Sequence, residues 1–568
     1  MKIHKTLFLT LILITPCSWA QVSYIDYPSS FHPTIGNSGM VVSQSQASSD
    51  IGVEILNMGG NAIDAAVAVG FSLAITLPRA GNLGGSGFML VYLESEQKTI
   101  AIDFRGAAPA NISSDEFLFL KNNYDERRYG YKASAVPGTV AGLLQSHERY
   151  GVLPLKQILE PVIKQAVNGV VVSYDLSQAI GSAVQIKLDE ESKNTYYKNN
   201  APIQQHSIIK RLDLAWTLNE IAKDGEQAFY SGSIAKKIIQ AMQDNDGYIT
   251  AEDLSNYEPR FSEPIQTSYR NHIIYAHPPP AGGASVLLEG LNILENFQVE
   301  ELGPNSGQFL HLFAEALQRG HMDRSRFMGD PVFYDVPIKK IISKERAKSL
   351  AKGINQNSVT PAGNLNPDSL FNEGENTTHY SIIDKSGNAV STTYTLGYSF
   401  GSGVTIPGTG ILLDNQMNNF AYQYGNPEVI SRLASIGNKF QPGKRPMSTM
   451  TPIMMFDDNK TLKLISGSPG GALIPAAVLR VITGLIDFNL NLGEATMLPR
   501  LHKDWPFENL RMERGFSQDT QKILTSYGHQ LELSKTMGST QSILISSKGR
   551  EGFADLRRPN AGVAIQID

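Results

Sequence analysis

Cysteine is all but missing: Cys17 is the single one in 568 residues, and it falls within the first twenty. A mature chain without that stretch has no thiol, so disulfides cannot form and a cysteine nucleophile is excluded. No block of one charge sign stands out either. The 49 Lys and Arg against 54 Asp and Glu leave a net charge of −5, which argues against nucleic acid as a partner. The eleven histidines are scattered, with no His-x-x-x-His or comparable pair, so neither a metal nor any other cofactor is expected. Past residue 20 no apolar run is long enough to span a bilayer, so no membrane anchor is expected, and no internal repeat is visible.

What is present begins with a leader. Lys2 and Lys5 precede an apolar run from Leu7 to Ile14, then Pro16, and Ser18-Trp19-Ala20 supplies small residues at the usual cleavage positions. Residues 1–20 are therefore expected to be removed as a signal peptide and the product exported, to a periplasm or outside the cell. Cys17 follows Thr15-Pro16 instead of the small pair of a lipoprotein signal. Hydrophobic residues at 41% and charged ones at 18% predict a folded chain with a sizeable core. Length alone suggests two or more domains, large interleaved α/β enzymes being the exception.

Taken in order, Ser48-Ser49-Asp50 reads as a helix cap ahead of a helix over 51–58 that Gly59-Gly60 ends. Asn61 caps a second, nearly all-apolar helix, on which Asp64 reads as a satisfied buried carboxylate. The segment from Gly81 to Gly87 could be mistaken for a phosphate loop. A dinucleotide fingerprint needs a strand before it and a helix after, and here the order is reversed, so a turn that admits close backbone approach is the better reading. A strand over 99–105 ends in Arg105. From 136 to about 350 the pattern is mainly helical, with a β-like interruption over 265–277. A stretch rich in Asn, Pro, Gly and Ser over 355–375 reads as an exposed linker and runs directly into Asn376-Thr377.

From there Asn376-Thr377-Thr378-His379-Tyr380-Ser381 and Ala389-Val390-Ser391-Thr392-Thr393-Tyr394-Thr395-Leu396 flank Asp384-Lys385-Ser386-Gly387-Asn388, the pattern of a β-hairpin. By itself this is a Thr-rich strand pair. It is followed by Gly401-Ser402-Gly403, Asn415-Gln416-Met417-Asn418-Asn419-Phe420, Lys444-Arg445-Pro446-Met447-Ser448-Thr449-Met450 and Gly467-Ser468-Pro469-Gly470-Gly471, with Asp103-Phe104-Arg105 far upstream. Taken together, and in this order, these segments resemble the γ-glutamyltransferases (glutathione hydrolases), a family of N-terminal-nucleophile hydrolases, over nearly the whole chain after the leader.

The resemblance implies an α/β (α+β) fold, the four-layer αββα sandwich of that superfamily. It further implies self-cleavage between Asn376 and Thr377 into a large subunit of 21–376 and a small one of 377–568 that build one fold. Thr377 would be the nucleophile, with its freed α-amine as base, and Thr395 would hold it in place. Gly470 and Gly471 would supply the oxyanion donors. Arg105, Ser448 and Thr449 would grip the substrate's α-carboxylate, Thr449 replacing the family's second serine, and Gln416 would contact its α-amino end. The substrates implied are a γ-glutamyl amide and water or an acceptor amine.

Two positions depart from the pattern. Asn419, beside Asn418, stands where bacterial members have Asp, and Gly397 stands where they have Asn. Both missing groups contact the substrate's ammonium, and a hydrogen bond to a charged group is worth about 1.5–3 kcal/mol, roughly ten- to a hundredfold in affinity. The pocket is therefore expected to tolerate an acyl group without that amine, such as glutaryl, as in the acylases of the superfamily. In the lid over 421–443, Ile430 lies about where an aromatic latch is common. Two rivals stand beside this reading: a serine hydrolase built on Gly397-Tyr398-Ser399-Phe400-Gly401, which needs a helix directly after Ser399, and an exported binding protein without turnover.

Overall fold

The Thr-rich hairpin forms the middle of a seven-stranded antiparallel sheet. Its strands, Asn376–Ile383 and Ala389–Gly397, pair from Thr377 opposite Thr395 to Ile383 opposite Ala389. The turn between them is held by Asp384, whose carboxylate accepts from Ser386 N at 2.8 Å and Asn388 N at 3.1 Å. Its other oxygen accepts from Ala62 N, the first residue of a helix, where an anion meets the exposed N–H groups. The computed structural model describes residues 29–119, 123–363, 376–422 and 435–567. The leader, Ile430 and residues 364–375 of the linker lie outside the described residues.

The sheet runs in the order Gly562–Ile565, Met40–Ser43, Asn376–Ile383, Ala389–Gly397, Ser86–Leu93, Lys98–Phe104, Arg260–Ser262. A second seven-stranded antiparallel sheet runs Thr34–Gly36, Gly549–Ala554, Gln541–Ser546, Leu462–Ser466, Ile453–Phe456, His272–Ala276, Ile265–Tyr269. Met40, Val42, Leu90 and Tyr92 of the first pack with Met454, Phe456, Ile465 and Ile543 of the second to form the layer between them. The outer face of the first sheet is covered by helices that include Gln46–Asn57 and Ala62–Thr76. That of the second is covered by Gly282–Leu294, Gly307–Phe327 and Ile474–Ile486. The result is the four-layer αββα sandwich, in which both sheets contain strands from before and after residue 376.

Most local expectations hold. Asn61 caps Ala62–Thr76 in a capping box with Asp64. Asp64 is fully buried and accepts from the backbone of Asn61, Val152 and Leu153, while burial raises its pKa. Some do not hold. The first helix spans Gln46–Asn57 and its N-cap is Ser45, not the Ser48-Ser49 pair. Ser49 is spent instead on Ser43 Oγ and the Gly562 carbonyl, tying the helix to its sheet. The linker is anchored at its start: Val359 N donates to Tyr527 O and Thr360 N to Glu315 Oε1. After Ser399 come a turn and the strand Thr405–Ile406 in place of the helix that a nucleophile elbow requires, which removes the serine-hydrolase reading.

Candidate active site

Side chains alternate along a strand, so Thr377, His379 and Ser381 share one face, as do Thr395, Thr393 and Ser391 on its partner. This face meets the second sheet: Ser391 Oγ donates to Ser466 O, and Ser381 Oγ to Gln541 O. His379 sits fully buried between hydroxyls, Nδ1 at 2.8 Å from Thr393 Oγ1 and Nε2 at 3.1 Å from Ser381 Oγ. Burial pushes its pKa down to about 3, so it stays neutral.

The end of the hairpin carries the unusual geometry. The register shifts between Asn376 and Thr377, a bulge at the strand start. Thr377 Oγ1 donates to Thr395 Oγ1 at 3.3 Å. Thr395 Oγ1 in turn donates to the Asn376 carbonyl at 2.7 Å and accepts from Gly397 N at 2.8 Å. The peptide carbonyl before Thr377 is therefore polarised by the same hydroxyl that receives the Thr377 proton. Both threonines are about 5% exposed, which keeps these bonds out of bulk water. Arg79, missed in the sequence, holds the Asn376 side chain: its guanidinium donates to Asn376 Oδ1 at 2.6 Å and to Asp175 Oδ2 at 2.7 Å.

The glycine turn before the strand Ser86–Leu93 fits against this end. A Cβ on Gly85 would stand 2.5 Å from Thr395 O, and one on Gly84 2.1 Å from Leu412 O, so the close backbone approach expected there is real. It brings in the Asp414–Asn419 segment, since Asp414 N donates to Gly84 O. Gln416 is fully buried; its Nε2 donates to Thr395 O at 3.0 Å and its Oε1 accepts from Ser86 Oγ at 2.5 Å. These two bonds use one amide proton and one lone pair of the side chain. Asp414, also missed in the sequence, is fully buried, accepts from Ala135 N and Gln416 N, and is pushed up to about 7 by burial against the pull of Arg105.

Arg105 is fully buried, not a solvated strand end. Its Nε donates to Pro446 O at 3.2 Å, which sets it beside the segment carrying Ser448 and Thr449. A buried pair, Arg445 with Asp103 at 2.9 Å, binds the same two segments. Ser448 Oγ accepts from Met450 N, and Ser448 N donates to Pro280 O. Asn438 joins this segment to Asn419, donating to the Asn419 carbonyl and accepting from Met447 N. Asn418 instead donates to the Tyr398 hydroxyl.

Gly470 and Gly471 have φ of +131° and +56°, a region that favours glycine, just ahead of the Ile474–Ile486 helix. Their segment leaves Ser466 beside Ser391 and passes Gly467, whose Cβ would strike the His379 ring, so it travels along the hairpin toward Thr377. Gly397 has φ +91°, and a Cβ there would meet Asn415 Oδ1 at 2.2 Å. A longer residue at this position needs Asn415 to move. Asn376, Thr377, Thr395, Gly397 and Gln416 are thus joined by hydrogen bonds, and Arg105 and Asn419 are each tied to the segment that carries Ser448 and Thr449. Among the described residues, a grouping able to hold a metal is formed by other side chains, His321, His502 and Asp504.

Residues 48–565 match the family model described as Gamma-glutamyltranspeptidase. A glutathione hydrolase proenzyme of Escherichia coli (strain K12) is 42% identical over 534 residues, covering 93% of this chain and 92% of its own. A solved cephalosporin acylase from Bacillus halodurans is 28% identical, with a TM-score of 0.84 over 97% of this chain and 99% of that one. The Helicobacter pylori gamma-glutamyltranspeptidase structure is 36% identical, with a TM-score of 0.56, covering 60% of this chain and 99% of that one.

Proposed function

The chain belongs to the gamma-glutamyltranspeptidase family, and we propose that it matures by cutting itself between Asn376 and Thr377, after which Thr377 attacks γ-glutamyl amides. It is an enzyme of the glutathione hydrolase type. The observation that carries the proposal is the relay of Thr377 Oγ1 to Thr395 Oγ1 to the Asn376 carbonyl. As Thr377 Oγ1 bonds to the carbonyl carbon, its proton passes to Thr395, whose own proton goes to the carbonyl oxygen. The C–N bond then breaks, the nitrogen takes a proton, and an ester on Thr377 remains. Water hydrolyses that ester and leaves Asn376 as a carboxylate and Thr377 with a free amine.

The amine, with an unperturbed pKa of about 8, is the base that a threonine hydroxyl otherwise lacks. It takes the hydroxyl proton as Thr377 attacks the γ-amide carbon, and gives a proton to the departing amine. Gly470 and Gly471 N–H groups stabilise the oxyanion. Arg105, with Ser448 and Thr449, binds the substrate's α-carboxylate, and Gln416 with Asn419 meets its ammonium. Water or an acceptor amine releases the γ-glutamyl group. The large fragment, 21–376, and the small one, 377–568, stay together because each contributes strands to both sheets. Residues 1–20 direct export. Among the described residues no helix is long and apolar enough to cross a membrane.

A second reading is favoured by Asn419 and Gly397, which leave the ammonium end without a charge and without a side chain, and it makes a glutaryl acylase of the same scaffold. Parallel hydrolysis of γ-glutamyl and glutaryl anilides separates the two: a clear γ-glutamyl preference ends the acylase reading. For maturation, the purified protein should run as two bands, and Edman degradation of the smaller should begin Thr-Thr-His. A single uncut band without turnover would instead mark an exported binding protein. Turnover by a chain without that new N-terminus would refute Thr377 as nucleophile.

A further inference from the structure

His321, in the Gly307–Phe327 helix, faces His502, in the Leu501–Lys503 strand, and Asp504, which directly follows that strand. All three are buried, at 1%, 1% and 3% exposure. His321 Nδ1 stands 3.4 Å from Asp504 Oδ1, and His502 Nε2 stands 3.7 Å from Asp504 Oδ2. One ligand atom from each lies within 4.8 Å of the other two, and the imidazole rings sit edge to face at 85°.

These separations are longer than the 2.7–3.2 Å or so of a hydrogen bond. The 3.4 Å pair matches the edge of a metal tetrahedron, since bonds of about 2.0–2.1 Å place neighbouring ligand atoms roughly 3.4 Å apart, whereas the 3.7 Å pair and the 4.8 Å outer limit require the side chains to close in around an ion. Two imidazoles and one carboxylate suit zinc and its neighbours, whereas calcium and magnesium take oxygen ligands. We propose that His321, His502 and Asp504 form a binding site for a divalent transition metal of the zinc class. His321 precedes residue 376 and the other two follow it, so the metal also ties the segments on either side of that bond. The tie between separate fragments rests on the cleavage proposed above; the binding itself does not.

The test uses tag-free protein purified in chelator-free buffer, assayed for metal by mass spectrometry and titrated with ZnCl2 against a chromophoric chelator. Wild type and the uncut Thr377→Ala protein should each take up one zinc per chain, while His502→Gln and Asp504→Asn should each weaken uptake at least tenfold. Cobalt(II) added to the wild type should give the visible absorption of a tetrahedral site. Absence of stoichiometric uptake by the wild type overturns the proposal, and so does uptake that survives both substitutions. If the chain never cuts itself, uptake by Thr377→Ala still decides the metal question separately.

Discussion

Thr395→Val removes one hydroxyl and keeps the shape of the side chain, so it isolates the relay. Three contacts go: the donation to Asn376 O at 2.7 Å, the acceptance from Gly397 N at 2.8 Å, and the contact with Thr377 Oγ1 at 3.3 Å. Gly397 N–H is left buried without this acceptor, which costs about 1–3 kcal/mol of stability. The larger effect is on chemistry, because the Asn376 oxygen loses the donor that stabilises its developing charge. Loss of one such donor slows acyl transfer about 10²–10³-fold, or about 2.7–4 kcal/mol of barrier. The assay follows the appearance of the small fragment on a gel from freshly purified chain, with thermal unfolding measured alongside. Thr395→Ser restores the hydroxyl and should cut within a few-fold of wild type. Cutting by Thr395→Val at the wild-type rate, with the variant folded, would refute the relay.

Other outcomes follow from the same geometry. Asn376→Ala deletes the contact with Arg79 while leaving the Arg79–Asp175 pair, and should slow cutting roughly ten- to a hundredfold, the worth of one hydrogen bond to a charged group. Asn419→Asp should raise kcat/KM for γ-glutamyl over glutaryl anilide by about the same factor; an unchanged ratio would detach Asn419 from the ammonium end. Turnover should fall as pH drops below about 8, where the α-amine protonates, and His379, already neutral, should add no inflection near 6 to 7. Asp414 is raised to about 7 in the folded state from 3.8. The native state therefore binds more protons than the unfolded one between these values, and this contribution to stability is lost as pH rises through the window. Asp414→Asn keeps an acceptor for Ala135 N and Gln416 N, so its stability relative to wild type should increase from pH 4 to 7. An unvarying difference would show that Asp414 does not titrate there.

The hairpin, the buried Asn61-capped helix and the glycine turn were legible because each depends on local chemistry: β-branched alternation, a cap, a backbone that must come close. Arg79 and Asp414 were not, because nothing in their neighbours announces partners 297 and 279 residues away. His321 and His502 escaped for the same reason, since metal-ligand spacing in sequence is visible only when a short element carries both ligands. The Ser48-Ser49 pair misled because a serine that can cap a helix can also bond to a neighbouring strand, and the tertiary partners, Ser43 and Gly562, decide between them. The departures at 397 and 419 gain meaning only in the fold. Gly397 donates its N–H to Thr395 at positive φ and crowds Asn415, so a side chain reaching for the substrate's ammonium must displace Asn415, whose Oδ1 accepts from Tyr398 N. Under the proposed mechanism, the same backbone group would serve the relay and limit the contacts at the substrate's cationic end. A substitution at 397 should therefore alter proposed specificity and proposed cutting together, whereas one at Asn419, held by its carbonyl to Asn438, should alter specificity alone.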